Sequence, residues 1–288
     1  MGANSSSIDS NSANGSNHPP LKTKLEDIPE ACAALILSYL DPPEICKLAR
    51  LSRAFSAASS ADFIWDSKLP SNYRYILEEL LAMSIAGMGK KDIFAKLSRP
   101  NSFDSGTKEV WIDQNNGGVC LAVSAKGMTI TGIDDRRYWN HIPTDESRFG
   151  IVAYLHQIWW VEVDGELEFQ FPAGTYSVFF RLQLGKFTKR LGRRVITNTE
   201  QVHGWDLKPV QFQLTTSDGG CVMSKCYLDN VGTWVHHHVG DFVVKDSATM
   251  TKLKFSLMQI DCTHTKGGLC VDSVLICPIS LAKELRSS

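Results

Sequence analysis

Residues 161–184 read VEVDGELEFQFPAGTYSVFFRLQL. Val161 and Val163 alternate with charged residues, and beyond Asp164-Gly165 so do Leu167, Phe169 and Phe171 with Glu166, Glu168 and Gln170. Successive side chains of a strand point to opposite faces, so a period of two gives each strand one apolar and one wet face. Two such runs on either side of Asp-Gly predict a hairpin turning at 164–165. Tyr176, Val178, Phe180, Leu182 and Leu184 repeat the period, as do Val210, Phe212 and Leu214, and later Leu253, Phe255 and Leu257. Residues 106–288 therefore predict an antiparallel β-sandwich of jelly-roll type. Within it only Phe149 to Leu155 suits a helix.

Upstream the pattern changes. Residues 1–24 are rich in Ser, Asn, Gly and Pro and poor in large apolar side chains, so they are expected to form a disordered tail. The segment LEDIPEACAALILSYLDPPE, 25–44, is almost wholly apolar from Ala31 to Leu40, with Ser38 the exception. A helix apolar on every side has to be covered on every side. A unit as short as 25–70 buries too little surface to do that alone. The helix therefore docks either on the downstream sandwich or on another protein, by helix-in-groove packing.

Asp41-Pro42-Pro43-Glu44 offers an N-cap, a proline at the first helical position and an acidic third residue. Ile45, Leu48, Ala49 and Phe55 follow at helical spacing. Ser60 is placed to cap a short helix carrying Phe63, Ile64 and Trp65. A longer helix is predicted over Tyr75 to Ala86, burying Ile76, Leu77, Leu80 and Leu81 and ended by Gly87 and Gly89. A last one, Lys90 to Leu97, is stopped by Arg99-Pro100. Residues 71–105 are thus a helical linker, and the whole is an α+β multidomain chain: an all-α N-terminal domain, then the sandwich.

The length of 288 residues suits two domains, and 43% hydrophobic residues suffice for ordinary cores. A net charge of −1 supplies no global field for nucleic acid or anionic lipid. No apolar run approaches the ~20 residues that span a bilayer, and no basic n-region precedes an apolar stretch. Eight cysteines without a CxxC pair are read as reduced thiols of a cytoplasmic or nuclear protein. MGANSS fits the acylation pattern at Gly2, with Ser6 in the required place; the alternative is a plain polar tail.

Cys262, His264, Cys270 and Cys277 lack zinc-finger spacing and are read as core thiols. His236 and His238 fall on one strand face and His237 on the other, read as a solvated face rather than a metal site. Lys186, Lys189, Arg190, Arg193 and Arg194 form a basic cluster, a solvated loop by default and otherwise a contact for acidic partners or a nuclear signal. Gly87-Met88-Gly89-Lys90 lacks the spacing of a phosphate loop. No nucleophile–base pair, carboxylate dyad or cofactor motif stands out, so a non-catalytic protein without cofactor or metal is expected.

The stretch DDRRYWNH, 134–141, places Tyr138 and Trp139 beside charged and polar neighbours. An aromatic in such a loop can stack on the apolar face of a sugar ring while polar groups fix its hydroxyls. Alternatively Trp139 packs on the rim of the sandwich.

Two resemblances bear on these features. Leu25, Ile28-Pro29, Ile36-Leu37, Tyr39-Leu40-Asp41-Pro42, Leu48, Leu51 and Phe63-Ile64-Trp65 are spaced so that residues 25–70 resemble an F-box. The resemblance implies binding to the Skp-family adaptor of a cullin-RING ubiquitin ligase, through Leu25, Ile28, Pro29, Ile36, Leu37, Leu40, Ile45, Leu48 and Trp65. The segments CLAVSAKGMTITG, RRYWNHI, RFGIVAYLHQIWWVEVDGEL, GTYSVFFRLQL and KFSLMQID resemble, in that order, the phloem protein 2 family of plant lectins. Together the two resemble plant F-box proteins with a phloem-protein-2-like domain. That implies a substrate-recognition subunit that holds a protein or glycoprotein, with N-acetylglucosamine-containing glycans as the implied sugar class.

The family's sugar site pairs two tryptophans with two acidic residues. Trp139 matches one tryptophan, the other falls at Gly132, and the acidic positions fall near Lys252 and Gln259. The implied carbohydrate set here is therefore Tyr138, Trp139 and Gln259. Two other functions stay open: a lectin whose ligase role is minor, and a sandwich that recognises protein surfaces without glycan.

Overall fold

The computed structural model describes residues 28–187, 197–198 and 201–287. Gly2, the tail 1–24, Leu25 and the basic stretch from Lys189 to Arg194 lie outside the described residues.

The N-terminal part is built from short helices: α1 (Glu30–Ser38), α2 (Pro42–Ala49), α3 (Arg53–Ala58), α4 (Asp62–Asp66) and α5 (Lys90–Leu97). Pro42 and Pro43 open α2 after an extended Asp41, where proline's fixed φ suits a helix start and its missing N–H is not needed. Asp41 makes no side-chain capping bond. The apolar run from Ile45 to Phe55 is split, because Ser52 is extended and starts α3 afresh. The next helix begins after Ala61, one residue later than Ser60 implies. Tyr75–Leu80 forms a wide π-type turn in which the Leu81 N–H donates to the Ile76 carbonyl at 3.0 Å. It ends at Ala82, whose φ of 50° breaks the helix before Gly87 is reached.

The strands are β1 (Asn101–Phe103), β2 (Lys108–Ile112), β3 (Val119–Ser124), β4 (Thr129–Ile130), β5 (Trp139–Pro143), β6 (Ile151–Leu155), β7 (Val161–Phe169), β8 (Gly174–Leu184), β9 (Lys186–Phe187), β10 (Thr197–Asn198), β11 (Val210–Thr216), β12 (Cys221–Cys226), β13 (Val235–Val244), β14 (Thr251–Gln259) and β15 (Leu269–Pro278). β1 thus starts inside the range assigned to the linker. One sheet has eight strands. β15 lies along β8, which pairs β13, and its other edge pairs β6 near Cys270 and β3 from Ser273 to Ile276. The second sheet runs β12-β11-β14-β7-β4, and every strand pairing in both sheets is antiparallel. Phe180 of the first sheet meets Phe212 and Phe255 of the second, with ring centroids 5.7 and 6.1 Å apart. This is the two-layer sandwich that the period of two predicts.

Three expectations are corrected. No turn forms at Asp164-Gly165; β7 runs unbroken from Val161 to Phe169. Gly165 sits opposite Phe255 in the register, and a Cβ there would stand 2.2 Å from Phe255 Cε2. The glycine therefore makes room for a ring rather than a turn. Phe149 to Leu155 is no helix, since its second half is the buried strand β6. Cys262 is exposed in a loop, whereas Cys120, Cys270 and Cys277 are buried, and all eight cysteines are free. A C-terminal helix, α6 (Ile279–Ser287), packs Ala282 against Phe179, Cys120 and Cys277.

The helical part and the sandwich share one buried apolar cluster. Trp65 of α4 meets Phe94 of α5 at 5.1 Å between ring centroids. Tyr75 stands edge-on to Phe169 at 5.4 Å, and Asn72 Nδ2 donates to the Gln170 carbonyl at 2.5 Å. Residues 72–97 are therefore a packed joint rather than a free spacer.

Candidate functional site

Two surfaces stand out. The first is on the helices. α1 buries Ala33, Ala34 and Leu37 and leaves Leu35, Ile36 and, just beyond it, Tyr39 exposed, at 55%, 46% and 81% of their full accessibility. Leu51 and Phe63 are also exposed. Isolated apolar residues on a surface are ordinary, but three within five residues on one short helix are a contact surface in search of a partner.

The residues read as the adaptor face separate into two groups. Leu37, Ile45 and Trp65 are buried, the last with its indole N–H donating to the Ser59 carbonyl at 2.7 Å. They hold the helices together and are not contact residues. Ile36 and Pro29 are on the surface, and Ile28, Leu40 and Leu48 are half-buried. Leu35, Tyr39 and Phe63 were not singled out as contacts. In a helix apolar on both faces, periodicity cannot say which face turns inward.

The second surface is the end of the sandwich where β5 and β7 begin and β14 ends. Tyr138 lies at the surface beneath the Arg137 guanidinium, 5.5 Å from its ring centroid. Arg137 is itself held by Asp135, Nη2 to Oδ2 at 2.6 Å. Trp139 is 1% exposed, and its indole N–H donates to the Thr131 carbonyl at 3.1 Å. It starts β5 and pairs with Leu155, so neither ring face is open to a sugar. Gly132 has φ +82°, and a Cβ there would touch Ile158 and Tyr138 at 3.5 Å. An L side chain at that position is strained whatever its size.

Gln259 is buried, its Oε1 accepting from the Asp261 N–H at 3.1 Å and its Nε2 donating to the Lys208 carbonyl at 3.4 Å. Lys252 is ion-paired with Glu166 at 3.3 Å. Gln259 and Lys252 lie seven residues apart on one strand, about 23 Å along it and on opposite faces. The four positions of the sugar-site pattern therefore do not converge, and the readings of Trp139 as a stacking platform and Gln259 as a ligand group are corrected.

The same end carries two exposed tryptophans, Trp159 and Trp160. Behind them is Lys266, fully buried, with Nζ donating to the carbonyls of Trp159 at 2.6 Å, His264 at 3.3 Å and Asp261. Burial lowers the lysine's pKa, with the Asp261 carboxylate opposing that effect. Three carbonyls around one ammonium tie the Trp159 turn to the 261–264 loop.

His237 stacks on Phe212 at 5.9 Å between centroids, facing inward, and burial pushes its pKa down to about 4. His236 and His238 lie on the other face against Phe179, as strand alternation predicts. Among the described residues no group of three His, Cys, Asp or Glu side chains is placed to hold a metal ion, and no helix is long and apolar enough to cross a membrane.

Residues 118–278 match the model of the phloem protein 2 family, and residues 25–69 match an F-box-like model. The chain belongs to the F-box proteins that carry a phloem protein 2 domain. Three such proteins of Arabidopsis thaliana are similar along nearly the whole length. F-box protein PP2-A13 is 62% identical over 93% of this chain and 92% of its own. F-box protein PP2-A12 is 60% identical over 92% and 91%, and F-box protein PP2-A15 is 54% identical over 96% and 95%. An F-box joined to a phloem protein 2 domain has the general make-up of a substrate-recognition protein, an adaptor rather than a catalyst. In this member of the family the F-box helices carry the exposed apolar strip. The loops of the phloem protein 2 domain carry Tyr138, Trp159 and Trp160.

Proposed function

We propose that this chain is the substrate-recognition subunit of a Skp–cullin–F-box ubiquitin ligase. The observation that carries the reading is the exposed strip Leu35, Ile36 and Tyr39 on α1, on an F-box whose core is already filled by Leu37, Ile45 and Trp65. A Skp-family adaptor would cover that strip by helix-in-groove packing. The Tyr75–Phe169 and Asn72–Gln170 contacts would then hold the sandwich at a fixed position relative to the adaptor. A substrate on the sandwich would be kept at high effective concentration near the ubiquitin-loaded partner, with no bond made by this chain itself. The substrate is a protein or glycoprotein of the cytoplasm or nucleus.

The test is affinity capture of a purified Skp-family adaptor by the full chain. The unaltered chain and Tyr138→Ala retain the adaptor, and Ile36→Asp releases it. Equal capture by Ile36→Asp would contradict the reading. The buried Trp139 favours a version in which the Tyr138–Trp139 loop grips no sugar, as in a lectin-shaped module that recognises its substrate elsewhere on the sandwich.

A further inference from the structure

The outer face of the five-stranded sheet holds a trough of about 470 Å³ that the sugar-site pattern does not use. The register lays out its floor. Thr129 of β4 is opposite Asp164 of β7, Asp164 is opposite Ser256 of β14, and Ser256 is opposite Gln213 of β11. One row thus crosses four strands, about 14 Å at ordinary strand spacing. The next row is Glu166, Lys254 and Thr215.

These polar groups are poorly satisfied by the protein. Ser256 is 8% exposed and lines the trough, yet its hydroxyl has no hydrogen-bond partner among the described residues. Asp164 is half-buried and makes no hydrogen bond or ion pair with another described side chain. Burial first, and Glu162 second, raise its pKa. The Gln213 amide reaches only Thr215 Oγ1 at 3.5 Å and Cys221 Sγ at 3.6 Å. A buried hydroxyl and a half-buried carboxylate left unpaired at the floor of a cavity are costly unless something else pairs them. At the end of the trough Met258 adds apolar surface. Strand alternation carries the exposed Trp160 to the same face as Glu162, its direct neighbour opposite Met258.

We infer that this trough is a binding site for a neutral oligosaccharide. A carboxylate, an amide and hydroxyls in one row both accept from and donate to the paired hydroxyls of a sugar. An open tryptophan beside them offers the flat apolar surface on which a pyranose face stacks. Asp164 and Glu166 against Lys254 leave the trough with an excess of negative charge, which disfavours anionic ligands. The inference rests on the reading above only in taking the sandwich as the substrate-facing module.

The experiment is calorimetric titration of the full chain with chitotriose, cellotriose and mannotriose, and with an Arg- and Lys-rich peptide. Asp164→Asn, Ser256→Ala and Tyr138→Ala are titrated alongside, each with its thermal unfolding recorded. The expected result is that at least one trisaccharide binds. Asp164→Asn then weakens it at least tenfold, Ser256→Ala weakens it measurably, and Tyr138→Ala leaves it unchanged. The inference is overturned if no trisaccharide binds, if Asp164→Asn binds as the unaltered chain does, or if the basic peptide alone binds. Adaptor capture by the same samples separates these outcomes from failure of the receptor reading, since the trough variants leave α1 untouched.

Discussion

Tyr75, in the turn after the F-box helices, stands edge-on to Phe169 at the end of β7, with ring centroids 5.4 Å apart. Phe169 is fully buried and is itself edge-on to Phe171 at 4.8 Å. This small aromatic stack makes the position of the adaptor-facing helices a property of the sandwich core. Phe169→Ala is expected to cost about 3–5 kcal/mol. In hydrogen exchange, the amides of α4 and α5 should lose protection before those of β8 and β15. Equal loss throughout would show that the stack does not govern the joint.

Gly165→Ala tests the correction at Asp164-Gly165. The added methyl would stand 2.2 Å from Phe255 Cε2, and overpacking of that kind costs about 1–3 kcal/mol. Combining it with Phe255→Leu, which removes the ring, should recover part of the loss. The pair would then be non-additive in urea unfolding. If 164–165 were a turn, alanine would be tolerated and the two changes would add.

Stability should fall on acidification because of His237. Burial holds its pKa at about 4, below the ~6.5 of an unfolded chain. The unfolded state therefore takes up a proton between these values that the folded state refuses. The stability is fully present above pH 6.5 and is lost as the pH drops toward 4, by an amount on the order of 3 kcal/mol. His237→Gln should flatten this part of the stability–pH profile, read from urea midpoints. An unchanged slope would contradict the assignment.

Lys266→Met removes the ammonium shared by three carbonyls and leaves them buried without a donor. The expected cost is about 2–4 kcal/mol. Trp159 and Trp160 fluorescence should become more accessible to a soluble quencher while β-sheet circular dichroism is retained. Unchanged quenching would mean that the loop is held by other contacts.

The parts of the fold legible in the sequence are those fixed locally. The proline pair before Glu44, the Lys90–Leu97 helix and the alternating runs at 176–184, 210–214 and 253–257 each follow from backbone preference or a period of two. What escaped depends on distant partners. Gly165 looks like a turn residue until Phe255 is known to lie across it. Trp139 sits in a polar stretch and is buried only because β5 pairs with β6. Leu37 and Ile36 are neighbours of equal hydrophobicity in α1, and packing against α3 and α4, not sequence, decides that one is core and the other surface. The row Thr129, Asp164, Ser256 and Gln213 spans four strands far apart in sequence, and no spacing announces it.

The central claim is that the α1 strip receives an Skp-family adaptor while the helices and sandwich stay folded. The most direct measurement is the affinity of the purified adaptor for three full-length samples: the unaltered chain, Ile36→Asp and Tyr39→Asp. Thermal unfolding of each is recorded beside it. The account predicts saturable one-to-one binding, weakened at least a hundredfold by Ile36→Asp, with unfolding temperatures that differ little among the three. No binding by the unaltered chain, or undiminished binding by both variants, would contradict it.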